Sequence, residues 1–125
     1  MLKKGKLNKK KIKREVMAHK TLNKKLKSPL NDRVTKEKLD RYFKITGEAL
    51  KTASNAQKLQ GKEEEAADFL DMASRYYSDA KFFMEKNDYV LAFAALNYAH
   101  GWLDAGARIK LFKVSDNRLF TVDEE

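Results

Sequence analysis

Between Ala66 and Met84 the apolar residues recur at steps of three and four: Ala66, Phe69, Leu70, Ala73, Tyr76, Tyr77, Ala80, Phe83 and Met84. That period matches the turn of an α-helix rather than the two-residue alternation of a strand, so the segment predicts a helix with one apolar face. Asn87-Asp88 then interrupts the pattern. Asn tolerates the left-handed conformation that ends a helix, and Asp caps the start of the next. A further helical pattern begins at Tyr89, and up to Ala99 only Asn97 is frankly polar. A helix apolar nearly all round predicts cover on more than one side. Eight of the thirteen aromatic residues fall between Tyr76 and Leu111, which places the core there.

Upstream, Thr35 is positioned as an N-cap with Val34 as a hydrophobic staple. Leu39, Tyr42, Phe43, Thr46, Ala49, Leu50, Ala53 and Ala56 follow helical spacing. Gly61 is the expected stop of this helix, and Glu63, Glu64 and Glu65 supply the negative first turn that the next helix dipole favours. In the last helix Ala92, Ala95, Ala99 and Gly106 form a row of small residues where a neighbouring backbone can approach. Short connections between three helices predict an all-α, up-down-up three-helix bundle over residues 30–122, with the third helix wedged against the other two. Phe112, Val114, Leu119 and Phe120 are candidates to fold back onto it, and residues 123–125 form an acidic end.

The charge is divided unevenly. Residues 1–28 hold twelve Lys or Arg against Glu15 alone, a net +11, whereas residues 29–125 hold fifteen basic and seventeen acidic residues, a net −2. Ser28-Pro29 marks the change, because proline disfavours helix in the residue before it, so residues 1–29 read as a basic N-terminal extension. Lys9, Lys10, Lys11, Lys13 and Arg14 are the candidate contacts to nucleic acid, binding phosphates in a sequence-tolerant, salt-sensitive way. Ile12, Val16, His19, Leu22 and Leu26 share one face if residues 10–27 are helical. The competing reading is a disordered, solubilising tail.

Several chemistries find no support. The chain has no cysteine, which excludes disulfides, thiolate nucleophiles and zinc-cysteine sites. No apolar run reaches the roughly 18 residues of a membrane span, and the start lacks the apolar region of a secretory signal, so a cytoplasmic location is expected. No cofactor motif is present, and no metal is assigned. Arg14 and His19 match the spacing of some small helical ribonucleases, but they lie in the extension. Asn87-Asp88-Tyr89 with Ala92, Leu96 and Ala99 mimics one tetratricopeptide hairpin, whereas such repeats need about three copies to build a core.

Tyr42-Phe43-Lys44-Ile45-Thr46-Gly47-Glu48-Ala49-Leu50-Lys51, Tyr76-Tyr77-Ser78-Asp79-Ala80, Asn87-Asp88-Tyr89 and the run from Tyr98 to Arg108 together resemble the archaeal "domain of unknown function 357" family, over about residues 34–122. Ala99-His100-Gly101-Trp102-Leu103-Asp104-Ala105-Gly106 is the most specific part of that likeness. The resemblance implies an archaeal source and a three-helix bundle of the albumin-binding-domain type, and it implies no reaction. Within the run, His100, Asp104 and Arg108 recur every four residues and share a helix face. With Tyr77 and Trp102 they form the candidate pocket or surface site. The reading that follows is a non-catalytic interaction or adaptor module with possible protein and nucleic-acid partners; the alternative is small-ligand or metal binding between the second and third helices.

Overall fold

The computed structural model describes residues 9–11, 13, 14, 17 and 29–123. The chain divides into two compact units, Met1–Asp32 and Arg33–Glu125. In the first, Lys9, Lys10, Lys11, Lys13, Arg14 and Met17 are all helical and exposed. The apolar face expected from Ile12, Val16, His19, Leu22 and Leu26 lies outside the described residues, as do Glu124 and Glu125. The second unit contains α1 (Lys36–Asn55), α2 (Glu63–Glu85) and α3 (Tyr89–Arg108). The described residues are thus all-helical, with no strand beyond an isolated antiparallel bridge between Lys58 and Phe112. No described helix is long and apolar enough to cross a membrane.

Helix α1 begins as its sequence predicts, with the Thr35 hydroxyl accepting the Lys38 N–H at 3.2 Å. It buries Leu39, Thr46, Ala49 and Ala53. It ends at Asn55, six residues before Gly61. The last carbonyls of a helix lack partners within it, and here Lys58 Nζ supplies one, donating to the carbonyls of Ala53 (3.0 Å), Ser54 (2.9 Å) and Ala56. Residues 57–59 then pair with the segment after α3: the Leu59 N–H donates to the Leu111 carbonyl at 2.9 Å, and the Lys113 N–H to the Gln57 carbonyl at 2.8 Å. Gly61 does adopt positive φ (83°), but in the connection to α2 rather than at the helix stop.

Helix α2 buries Ala66, Ala73 and Ala80, a seven-residue repeat of small side chains. Its end is a Schellman motif: Asn87 sits at φ 60°, the Asp88 N–H donates to the Phe83 carbonyl and the Asn87 N–H to the Met84 carbonyl. Asp88 also starts α3, its side chain accepting the Leu91 N–H at 3.1 Å. One dipeptide therefore closes one helix and opens the next. Helix α3 ends by the same device, with Lys110 at φ 63°, the Leu111 N–H bonded to the Gly106 carbonyl and the Lys110 N–H to the Ala107 carbonyl.

Helix α3 makes its most extensive contact with α2, packs less extensively on α1, and leaves α1 and α2 the weakest pair. Ala92, Ala95, Leu96, Ala99, Leu103, Gly106 and Ala107 form its buried side. Cover is not complete, however. Val90, Leu91 and Tyr98 are 66%, 46% and 51% exposed, so the uniformly apolar sequence of α3 does not correspond to burial on all sides.

The core forms two clusters. One joins Leu39, Ala80, Ala92, Ala95 and Leu96, flanked by Tyr42, Phe43, Tyr77 and Phe93. The other joins Ala49, Ala53, Ala66, Ala73, Leu103 and Ala107 to Leu111, Phe112, Leu119 and Phe120 of the segment beyond α3. That segment folds back and completes the core. Gly106 makes this possible: a Cβ there would stand 2.3 Å from Phe112 Cζ. The small-residue row at Gly106 therefore receives an aromatic ring of the chain's own C-terminal segment, where close approach of a neighbouring helix backbone was expected.

Candidate functional site

His100, Asp104 and Arg108 do share a face of α3, and the C-terminal segment runs along it. The His100 ring lies between α1 and that segment, with Nδ1 3.1 Å from Thr46 Oγ1 and Nε2 2.7 Å from the Leu119 carbonyl oxygen. A carbonyl only accepts, so Nε2 carries the proton and donates to it; in the neutral ring Nδ1 then accepts from the Thr46 hydroxyl. Thr46 is 2% exposed and has its polar atom satisfied by this contact. Asp104 accepts the Thr121 N–H at 2.8 Å and faces the Thr121 hydroxyl at 3.3 Å. Arg108 pairs with Asp123 at 3.1 Å. Three rungs, four residues apart on α3, thus hold Leu119, Thr121 and Asp123, alternate residues of a segment that leaves the turn at Asp116.

This geometry uses the same residues differently from a simple ladder along the helix. Asp104 Oδ1 lies 3.8 Å from His100 Nε2, beyond hydrogen-bond range, and Arg108 turns to Asp123 instead of Asp104. Ahead of the rungs, Arg118 folds onto Asp116, its guanidinium Nη2 2.9 Å from Oδ2 and its backbone N–H 3.0 Å from Oδ1. The Arg118 side-chain and backbone donors hold the Asp116 carboxyl below its ordinary range, and Asp116 in turn raises Arg118.

Tyr77 and Trp102 are not brought to this row. Tyr77 packs edge-on to Phe43 of α1 at 5.7 Å, with Lys81 Nζ 4.8 Å from its ring centroid, and its hydroxyl fills the space beside Gly47. Trp102 meets Phe69 of α2 edge-on at 5.0 Å and Tyr98 at 6.3 Å. Its indole Nε1 is buried with no hydrogen-bond partner. Gly101, next to it, makes no room for the indole: a Cβ there would meet nothing within 4 Å.

What does border His100 is an open groove of about 390 Å³ between α1 and α3, lined by Arg41, Tyr42, Ile45 and Thr46 on one side and Asn97, His100, Gly101 and Asp104 on the other. Arg41 and Asn97 are its exposed polar groups. Thr46 was signalled in the sequence only as a polar residue on the apolar stripe of α1, and Asn97 only as the one frankly polar residue in the apolar run of α3; Arg41 carried no signal. No group of three or more His, Cys, Asp or Glu residues stands close enough to hold a metal ion among the described residues.

A model of the family described as "Protein of unknown function (DUF357)" matches residues 41–112, from the second turn of α1 to the ring that seats on Gly106. No curated protein and no solved structure matches the chain.

Proposed function

The chain belongs to the family described as protein of unknown function (DUF357), and from that premise we propose that it is a non-catalytic interaction module whose basic N-terminal segment contacts nucleic acid. In this reading α1, α2 and α3 form an up-down-up three-helix bundle, the rigid body to which that segment is attached. The observation that carries the proposal is the exposure of Lys9, Lys10, Lys11, Lys13 and Arg14, each helical, in a chain whose residues 29–125 are close to neutral. Cations so arranged reach several phosphates and release their counterions. In support, the polar atoms of His100, Asp104 and Arg108 are engaged in holding the C-terminal segment rather than turned toward a reactant. Five phosphate contacts give an affinity that falls with a log–log salt slope of about 4. Replacing all five residues with Gln is expected to remove most of that slope in a titration with duplex or single-stranded oligonucleotide. Unchanged affinity at low salt would overturn the assignment.

One observation favours a second reading, small-ligand or metal binding between α2 and α3. Trp102 Nε1 is a buried donor without an acceptor, next to Phe69 of α2. A ligand oxygen there would satisfy it. Native mass spectrometry of the purified protein separates the readings: a stoichiometric bound small molecule, lost in Trp102→Phe, would displace the interaction module.

A further inference from the structure

From Val90 to Ala105, ahead of exposed Arg108, the solvent side of α3 carries Val90, Leu91, Ala94, Asn97, Tyr98, Gly101 and Ala105, all exposed and none charged. In a chain whose residues are 36% charged, an uncharged face four turns long is an unpartnered surface, and exposed apolar surface of that extent marks contact with another macromolecule. Gly101 supplies an independent observation. Glycine weakens an exposed helix interior relative to alanine, yet here neither a positive φ nor any neighbouring atom within 4 Å requires it. The position is open for the backbone of another helix to approach.

We propose that this face binds a second copy of the chain, with the two α3 helices antiparallel about a two-fold axis near Asn97 and Tyr98. The order of side-chain sizes supports that occupant. Bulky Val90 stands at one end of the face and small Ala105 at the other, so reversing one copy lays Val90 over Ala105 at both ends and sets Ala94 against Gly101. An isologous interface requires such self-complementarity. Asn97 falls at the axis, where its amide both donates and accepts and so pairs with its own symmetry mate.

Charge fits the same arrangement. Lys38 Nζ lies 5.5 Å from the Phe93 ring, and Thr46 meets His100, so α1 runs alongside α3 with Lys38 level with Phe93 and Glu48 just beyond His100. Reversal about Asn97 and Tyr98 brings Lys38 of one copy toward Glu48 of the other, twice by symmetry. Residues 29–125 carry a net −2, so the bodies do not repel one another strongly, while the +11 of residues 1–28 is borne by the other unit.

Sedimentation equilibrium on the full chain, at micromolar to sub-millimolar protein and without nucleic acid, tests the proposal. The wild type is expected to show reversible association to the mass of two 14.5 kDa chains. Gly101→Arg, whose Cβ meets no atom of the monomer within 4 Å, is expected to sediment as one chain while its helical circular dichroism and unfolding transition are kept. Val90→Arg serves as a second probe of the same face. Lys38→Glu alone is expected to weaken association, and Lys38→Glu with Glu48→Lys to restore it. A wild type that stays monomeric would assign the face to a different partner and overturn the proposal, as would a Gly101→Arg dimer of wild-type strength. Failure of the charge exchange to restore association would overturn the antiparallel arrangement.

Discussion

Gly101 and Gly106 lie five residues apart on α3, and a methyl group has opposite consequences at the two. At Gly106 the added Cβ would fall 2.3 Å from Phe112 Cζ and 2.6 Å from Cε1, so the ring must leave its seat or the helix must shift. Overpacking of this kind costs about 1–3 kcal/mol. At Gly101 the methyl meets nothing, and Gly106→Ala should lower stability while Gly101→Ala raises it by about 1 kcal/mol, the helix-propensity difference. Urea unfolding at protein concentrations low enough to suppress association measures both, and equal signs would contradict the packing described for Phe112. From sequence Gly106 read as part of a small-residue row, but what would fill the space beside it could not be read. The difference lies in a contact between α3 and residue 112, which no local pattern encodes. Thr46 is similar: its helical spacing placed it on the core side of α1, correctly, but the partner that makes a hydroxyl tolerable there is a histidine on another helix.

Helix starts were legible because capping is local chemistry. Thr35 and Asp88 cap α1 and α3 through the hydrogen bonds their side chains are known to make. Helix ends were legible only where a suitable residue announced them. Asn87 takes the left-handed conformation as expected, whereas Lys110 takes it without any such signal. A side chain with a Cβ pays about 1–2 kcal/mol for that conformation, which glycine avoids. Lys110→Gly is therefore expected to stabilise the protein by about 1 kcal/mol in thermal or urea unfolding, provided Leu111 keeps its bond to the Gly106 carbonyl. The end of α1 was misplaced because Gly61 is a stronger local signal than Lys58, while the bridge that stops the helix joins residues 57–59 to a segment some fifty positions away. The turn at Asp116 has a pH signature. Its carboxyl is held below the ordinary value of 3.8, so its contribution is complete above that pH and is lost as pH falls through the lower folded-state value. Amide protection at Leu119 and Phe120, both bonded to the Asp116 carbonyl, should accordingly persist at neutral pH and decline in acid. A decline centred near neutrality would point to a different titrating group.

At the scale of the whole molecule, periodicity and charge sufficed for an all-helical chain with its basic residues concentrated at one end. They did not reveal how much of the core lies outside the helices. Leu111, Phe112, Leu119 and Phe120 are all at most 6% exposed, and Phe112 is among the largest fully buried side chains. Removing everything after Ile109 would therefore strip one of the two clusters of four members and uncover Ala53, Leu103 and Ala107. Such a truncation is expected to lose cooperative unfolding and to bind hydrophobic dyes while keeping much of its helical signal. Retention of a sharp two-state transition would show that the helices suffice alone.

The seating of Phe112 on Gly106 also bears on how the protein is made. Synthesis delivers α1, α2 and α3 before residues 111–120, so the three helices meet with one half of their core still open at the surface. During that interval the unfinished cluster is exposed to chaperones and proteases. The rungs from His100, Asp104 and Arg108 cannot form until Leu119, Thr121 and Asp123 have left the ribosome. Their closure would mark the arrival of that segment, and a chain cut short before Leu119 would be left without it.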